Sequence, residues 1–377
     1  MAVTRLMLTE FRSYSRLRLD VDGGPVVLTG PNGAGKTNLL EAVSFLSPGR
    51  GLRQARLGEA TRQGGNGPWA VAAHICNPTG EMEIGTGLTL SAGAGSGDAV
   101  TERRIVRVDG RTAAGPAALA GLLTMTWLTP QMDRLFMEAA SGRRRFFDRI
   151  VFGFEPEHAR HASAYEKAMR ERNRLLKEGR RDPSWLGALE DELAGHGVAL
   201  AAARRHWVGR LAAAVGESAG PFPVPVVAID GAVEAWLDDM PALAAEDRFR
   251  EALEAGRGRD AEAGGTGIGP HRSDLNVRHR DKDVPAAQCS TGEQKALLIA
   301  LVLATARLGS AERGAAPLLL LDEVSAHLDA ERRAALYDEI CALGAQAWLT
   351  GTDRMLFDGL DGRAQFFAVK DGMLSAA

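Results

Sequence analysis

Apolar and polar residues alternate over Thr4–Phe11 and Leu17–Val21, which predicts two strands joined by the turn Arg12-Ser13-Tyr14-Ser15. Pro25–Thr29 is a short apolar run of the kind a buried strand leaves. From Lys36 to Phe45 the spacing becomes helical, with Leu39, Leu40, Val43 and Leu46 on one face. Ser47–Arg56 is a basic, glycine-containing loop. Strand patterns return at Trp69–Ile75, Met82–Leu90 and Arg103–Val108, with a tight-turn signal at Asp109-Gly110. The low-complexity run Ser91–Gly97 reads as an exposed hairpin tip.

After Gln131 the period is helical. Arg143–Phe152 and Glu157–Lys177 read as helices, the second with Ala162, Tyr165, Met169, Leu175 and Leu176 on one side and arginines on the other. Asp182-Pro183-Ser184 opens a further helix, supplying a cap and a fixed φ. That helix runs from Trp185 toward Leu211, with an interruption expected at Gly195 and Gly197. The short link predicts an antiparallel helix pair. Phe222–Ile229 reads as a strand and Asp247–Ala255 as a helix, and the glycine-rich stretch Glu262–Gly269 leads the chain back. The expected organisation is an α/β head with mixed sheet and helices, formed by residues 1–135 and 263–377. A mostly helical lobe, 136–262, is inserted between its halves.

Composition narrows the class. The chain has 377 residues, 45% hydrophobic and 25% charged, which is globular and large enough for two domains. Its net charge is −3, so any nucleic-acid contact must come from a local basic patch. Cys76, Cys289 and Cys341 are too scattered for a disulfide framework or a metal site, which suits the cytoplasm. No signal peptide is expected after Met1-Ala2-Val3-Thr4-Arg5. The longest apolar run, Ala296–Ala306, is too short for a bilayer span and reads as a core helix.

Candidate chemistry starts at Gly30-Pro31-Asn32-Gly33-Ala34-Gly35-Lys36-Thr37, which fits G-x-x-x-x-G-K-[ST] between a strand and a helix. Such a loop turns backbone N–H groups toward a phosphate, with Lys36 on the terminal phosphates, Thr37 on Mg²⁺ and Asn38 following at the helix start. A second stretch, Pro317-Leu318-Leu319-Leu320-Leu321-Asp322-Glu323, predicts a buried strand that ends on two carboxylates at the ligand-binding edge of an open sheet. There Asp322 holds Mg²⁺ and Glu323 polarises the attacking water. Ser290-Thr291-Gly292-Glu293 marks a helix start. Alone it is no more than a cap, but here it lies one helix upstream of the acidic strand. Asp329, after Ser325-Ala326-His327-Leu328, is placed to cap the helix from Ala330.

In this order these motifs resemble the ATP-binding cassette ATPases, and the long helical insertion resembles their SMC-like branch, in particular the RecF family. The residues that carry the resemblance span nearly the whole chain. They include Leu8–Tyr14, Gly49–Arg53, Arg143–Asp148, Arg172–Lys177 and Gly269–Leu275, and the last two runs are the most specific. The resemblance implies a homodimer clamped around ATP and Mg²⁺. Lys36, Asp322 and Glu323 of one copy then face Ser290, Thr291 and Gly292 of the other. It places Gln131 as a Q-loop residue on Mg²⁺ or the attacking water, Asp329 as a D-loop acid, and Arg12 near the base or phosphates. A solvated loop Gln131 and an exposed turn Arg12 are the alternatives. It also implies a weak DNA-dependent ATPase of DNA replication, DNA damage repair and the SOS response. Such a protein recognises gapped DNA and single-strand/duplex junctions, works with RecR and RecO, and promotes RecA loading. Cassette transporters often carry a histidine where this chain has Thr352. This departure counts against the alternative of a transporter subunit, although Thr352 can still orient the γ-phosphate or water. For DNA contact the candidate clusters are Arg50, Arg53 and Arg56; Arg103, Arg104 and Arg107; and Arg170, Arg172, Arg174 and Lys177.

Overall fold

The first strands are set by period-two alternation. β1 (Ala2–Phe11) pairs antiparallel with β2 (Tyr14–Asp20) and with β4 (Ala70–Asn77), after β3 (Val26–Thr29) and α1 (Lys36–Ser44) have intervened. β5 (Gly80–Ala92), β6 (Val100–Val108) and β7 (Arg111–Thr112) extend this to a six-stranded antiparallel sheet in the order β2-β1-β4-β5-β6-β7. The β6–β7 turn is Asp109-Gly110, with φ of 49° and 75°. β8 (Met125–Leu128) closes this portion. The computed structural model describes residues 1–92, 100–180, 182–216 and 220–377. The expected hairpin tip at Ser91–Gly97 therefore lies, from Gly93 on, outside the described residues.

The described chain divides into two compact units. One comprises Met1–Asp133, Ala219–Phe222 and Leu298–Ala377, the other Arg134–Ser218 and Pro223–Leu297. Residues 263–297 thus group with the second unit, whereas the sequence reading opens the C-terminal part of the head at 263.

The second unit holds α2 (Ala140–Phe154), α3 (Pro156–Lys177), α4 (Pro183–Gly216), α5 (Ala232–Asp239) and α6 (Ala242–Ala263) with a small sheet. That sheet has the order β11-β10-β9, from β9 (Pro225–Asp230), β10 (Asp274–His279) and β11 (Val284–Pro285). Asp182 Oδ1 accepts the N–H of Ser184 at 2.9 Å and starts α4. α4 runs unbroken for 34 residues, so the interruption expected at Gly195 and Gly197 is absent. The reason is packing. A Cβ at Gly197 would stand 2.7 Å from Phe249 Cε1, so glycine there is a site of close helix approach. Tyr165, Val198, Phe249 and Leu253 form the core of this lobe.

Residues recognised as family-like lock this unit from within. Arg172, 0% exposed, donates to Glu190 Oε1 at 2.9 Å and to Asp260 Oδ2 at 2.8 Å. Arg143 grips Asp274 with two bonds of 2.7 Å. Arg204 donates to both oxygens of Asp148 and to the Pro270 carbonyl. His271 Nε2 donates to the Thr266 carbonyl, so its Nδ1 accepts the Tyr165 hydroxyl at 2.7 Å. These arginines therefore serve architecture. In particular, the expectation that Arg172 contacts DNA is overturned by its burial between two carboxylates.

The chain continues through α7 (Thr291–Arg313), β12 (Leu318–Leu321), α8 (Ala330–Ala342), β13 (Ala347–Gly351), β14 (Gln365–Lys370) and β15 (Met373–Ala376). Among the described residues α7 alone is long and apolar enough to match a bilayer span, and 83% of its apolar window is buried, as in a core helix. The second sheet of the first unit has the order β15-β14-β3-β13-β12-β8, parallel from β14 to β8. β3, β8, β12 and β13 are buried along their full length, which explains their continuous apolar runs. Gln346, 0% exposed, fastens the two sheets of this unit. Its Oε1 accepts the Val3 N–H at 2.8 Å, and its Nε2 donates to the carbonyls of Val3 and Asp22.

Candidate nucleotide site

The parallel strands bring their C-terminal ends to one edge of the sheet, where ligands of open α/β folds bind. β3 runs into Gly30–Thr37, β12 into Asp322 and Glu323, β13 into Thr352, and β8 into the short turn that carries Gln131. Four segments far apart in sequence are thus gathered at one place in the first unit.

The loop is shaped by steric necessity. Gly30 has φ 150°, and a Cβ there would stand 2.1 Å from the Val369 carbonyl oxygen. Gly35 has φ 112°, and a Cβ would meet Ser13 Oγ at 2.8 Å and the Tyr14 hydroxyl at 2.9 Å. The Tyr14 hydroxyl donates to the Gly35 carbonyl at 3.1 Å. Gly35 also precedes α1, whose start has no side-chain cap. The first N–H groups of a helix have no partner within it, so this end is suited to an anion. Lys36 is buried, 4% exposed, and its Nζ donates to the carbonyls of Gly30 at 2.6 Å and Pro31 at 2.9 Å. Burial lowers its pKa, and Glu323 and Asp322 oppose that shift.

The Thr37 hydroxyl donates to Asp322, 2.9 Å from Oδ1 and 3.1 Å from Oδ2. The Asp322 acid is raised by burial, against hydrogen bonds from Thr350 and Thr37 that lower it. A hydroxyl and a carboxylate side by side are hard oxygen donors. They fit Mg²⁺, which takes one or two protein oxygens and completes its shell from water and phosphate. Glu323 is half-buried in the left-handed region at φ 51°, ψ 26°, and its N–H donates to Thr350 Oγ1 at 2.9 Å.

Other candidates are placed as follows. Asn32 is exposed on the loop, and Asn38 joins Ser13 Oγ to Arg53. Gln131 and Thr352 are exposed at the sheet edge. Asp329 caps α8 by accepting the Arg332 N–H at 2.8 Å. Arg12 is not a free turn arginine: its guanidinium makes two bonds to Glu41, at 2.8 and 2.6 Å. Glu41 is 0% exposed and also accepts from Arg53. Sequence reasoning missed Glu41 and Thr350. The signal for Glu41 is a carboxylate in the buried stretch of α1, beside Leu40 and Ala42. In the second unit Ser290 opens α7 with a reciprocal cap. Its Oγ accepts the Glu293 N–H at 3.4 Å, and its own N–H donates to Glu293 Oε2 at 3.1 Å. Lys282, then the Ser290 bonds, pull the Glu293 acid down to about 2. Thr291 and Gly292 are exposed in the first turn.

Of the DNA candidates, Arg104 is also corrected. It is 6% exposed and donates to the carbonyls of Phe45, Ser47 and Gly49, which fixes the loop after α1. Arg53 is held by Glu41, and Arg174 is paired with Glu171 and Glu178. Arg50, Arg56, Arg103, Arg107, Arg170 and Lys177 are exposed.

The RecF/RecN/SMC N terminal domain family matches residues 2–375. A relative from Mesorhizobium japonicum, DNA replication and repair protein RecF, is 50% identical over 372 residues, covering 98% of this chain and 96% of the relative. The chain belongs to the RecF family. Two solved structures of the recombination mediator protein RecF in the RecFOR pathway share the fold. The ATPrS form has a TM-score of 0.84 at 20% identity, covering 99% of this chain and 97% of that one. The ATP form has a TM-score of 0.83 at 20% identity, covering 100% and 97%. The transporter alternative finds no support among these relatives.

Proposed function

We propose that this chain is a DNA-binding ATPase of DNA replication and recombinational repair, acting in the cytoplasm as an ATP-dependent homodimer. The observation that carries the reading is the Thr37–Asp322 contact, which closes the phosphate loop onto the acidic strand end. Family membership supports it. In the proposed cycle the loop N–H groups and Lys36 bind the terminal phosphates, and Gln131 and Thr352 orient the γ-phosphate and water. Glu323 takes up the proton of the attacking water. Thr37 and Asp322 would hold Mg²⁺, which when bound would supply positive charge against the charge that develops on the phosphates. Ser290, Thr291 and Gly292 of the second copy present the capped start of α7 to the γ-phosphate, and Asp329 reports across the dimer. Hydrolysis removes the group that both copies hold and lets them part. The dimer recognises gapped DNA and single-strand/duplex junctions, and with RecR and RecO it promotes RecA loading.

Light scattering tests the pairing. With ATP and Mg²⁺ the wild-type protein is expected to double in mass, while Lys36→Ala and Ser290→Arg stay monomeric. A Ser290→Arg protein that pairs as the wild type does removes the composite site. The exposed arginines give a second test. Arg50→Ala with Arg56→Ala is expected to weaken duplex binding and to flatten the slope of log K against log salt by about 2. An unchanged slope takes this loop out of the DNA interface.

A further inference from the structure

We infer that Thr350 is a positioning residue that fixes Asp322 and Glu323 for turnover, an assignment that rests on the nucleotide reading above. Thr350 lies on β13 between β12 and β3. It is opposite Leu28 of β3 and one step past the Leu349–Leu321 pair, which brings it level with Asp322. It is 1% exposed. Its hydroxyl sits 2.7 Å from Asp322 Oδ1 and 2.9 Å from the Glu323 backbone nitrogen.

Chemistry leaves no choice of roles. The Glu323 N–H can only donate, so the hydroxyl oxygen accepts there. An ionised carboxylate only accepts, so the hydroxyl proton goes to Asp322. One side chain therefore sets both the carboxylate of Asp322 and the backbone of Glu323. The second task matters because Glu323 occupies left-handed backbone space, uncommon for a residue with a side chain. Thr37 is the other hydroxyl on Asp322, but in the nucleotide reading it is a cation ligand. Thr350 is then the hydroxyl partner of Asp322 that nucleotide does not claim. Strand geometry alone does not ask for threonine. Trp348 and Leu349 precede it, both buried, and valine would satisfy the pleat. A hydroxyl in such a place needs partners, and these are the ones it has. Thr352, to which the family resemblance points, lies two residues on and is exposed.

The test compares Thr350→Val, which keeps the shape and removes the hydroxyl, with Thr350→Ser, which keeps the hydroxyl. ATP turnover, binding of a fluorescent ATP analogue and the thermal midpoint are measured on the full chain. Thr350→Val is expected to lower kcat about 10- to 100-fold, the usual cost of losing a partner behind a metal or catalytic ligand. KM and analogue affinity are expected within about twofold of wild type, which places the loss after binding. Thr350→Ser is expected to restore most of the rate. In a Glu323→Gln background Thr350→Val is expected to cost less than it does in the wild-type protein, because the part of its effect that runs through Glu323 is already lost. A Thr350→Val kcat within about twofold of wild type overturns the assignment, as does a serine variant as slow as the valine one. Where the valine variant fails to fold, Thr350→Cys against Thr350→Ser makes the same comparison at similar size, since a thiol is a weak donor and acceptor. Absence of turnover in the wild-type protein overturns the nucleotide reading itself and this assignment with it.

Discussion

Glu323→Gln is expected to slow ATP hydrolysis by about 10²- to 10⁴-fold, the range that a positioned base supplies. The amide keeps the size and the backbone hydrogen bond to Thr350 but cannot take a proton from water. In the proposed cycle nucleotide is bound by other atoms: the loop N–H groups, Lys36, Thr37 and Asp322. ATP-dependent pairing is therefore expected to persist and to last longer, because the step that ends it is blocked. Single-turnover hydrolysis and light scattering on the same sample check both halves. Hydrolysis at the parent rate removes Glu323 as the base. Loss of pairing together with hydrolysis makes Glu323 a binding group instead.

Arg172→Met is expected to destabilise the protein by about 3–5 kcal/mol, the cost of breaking a buried ion pair from one side. Methionine fills much of the space but leaves the oxygens of Glu190 and Asp260 short of a partner, in a site where Arg172 itself is 0% exposed. Glu190 retains Arg257, and Asp260 Oδ1 retains the Gly267 N–H at 2.9 Å. Asp260 Oδ2 loses the Arg172 bond that holds it at 2.8 Å. Lysine is a poor substitute, since one ammonium cannot span Glu190, Asp260 and the Leu253 carbonyl as the guanidinium does. For a unit of this size the thermal midpoint is expected to fall by roughly 6–20 °C. A drop of about 2 °C or less means that the network is not holding the lobe together.

The contrast between these two residues shows what the chain reveals by itself. Gly30–Thr37, as a loop between a strand and a helix, and the run ending in Asp322-Glu323, as a buried strand end, were legible because each is a contiguous stretch whose form is set locally. The buried strands were legible for the same reason, with their apolar runs unbroken. Arginines were not. Arg104 and Arg172 stand in patterns that match solvated, DNA-facing residues. Their surroundings are made by partners 59 and 88 positions away, and no window of sequence contains those. Gly195 and Gly197 misled in the opposite sense. Their weak helix preference, about 1 kcal/mol each, is smaller than the gain from packing α4 against its neighbours. Arg12 and Thr350 depended on register. Arg12 finds Glu41 only because the β1–β2 turn lies over α1, and Thr350 finds Asp322 only because β13 lies next to β12.

Gly30 carries a warning for mutagenesis of the loop. Its obstacle is the main chain of β14, a strand that contributes no proposed chemistry and cannot swing aside as a side chain can. Alanine at 30 would pry two neighbouring strands apart, so a dead variant there reports a split sheet and not a lost phosphate contact. At Gly35 the obstructing atoms are the tips of Ser13 and Tyr14, which truncation can remove. Pairing Gly35→Ala with Ser13→Ala and Tyr14→Phe therefore separates crowding from backbone conformation, a separation that position 30 does not permit.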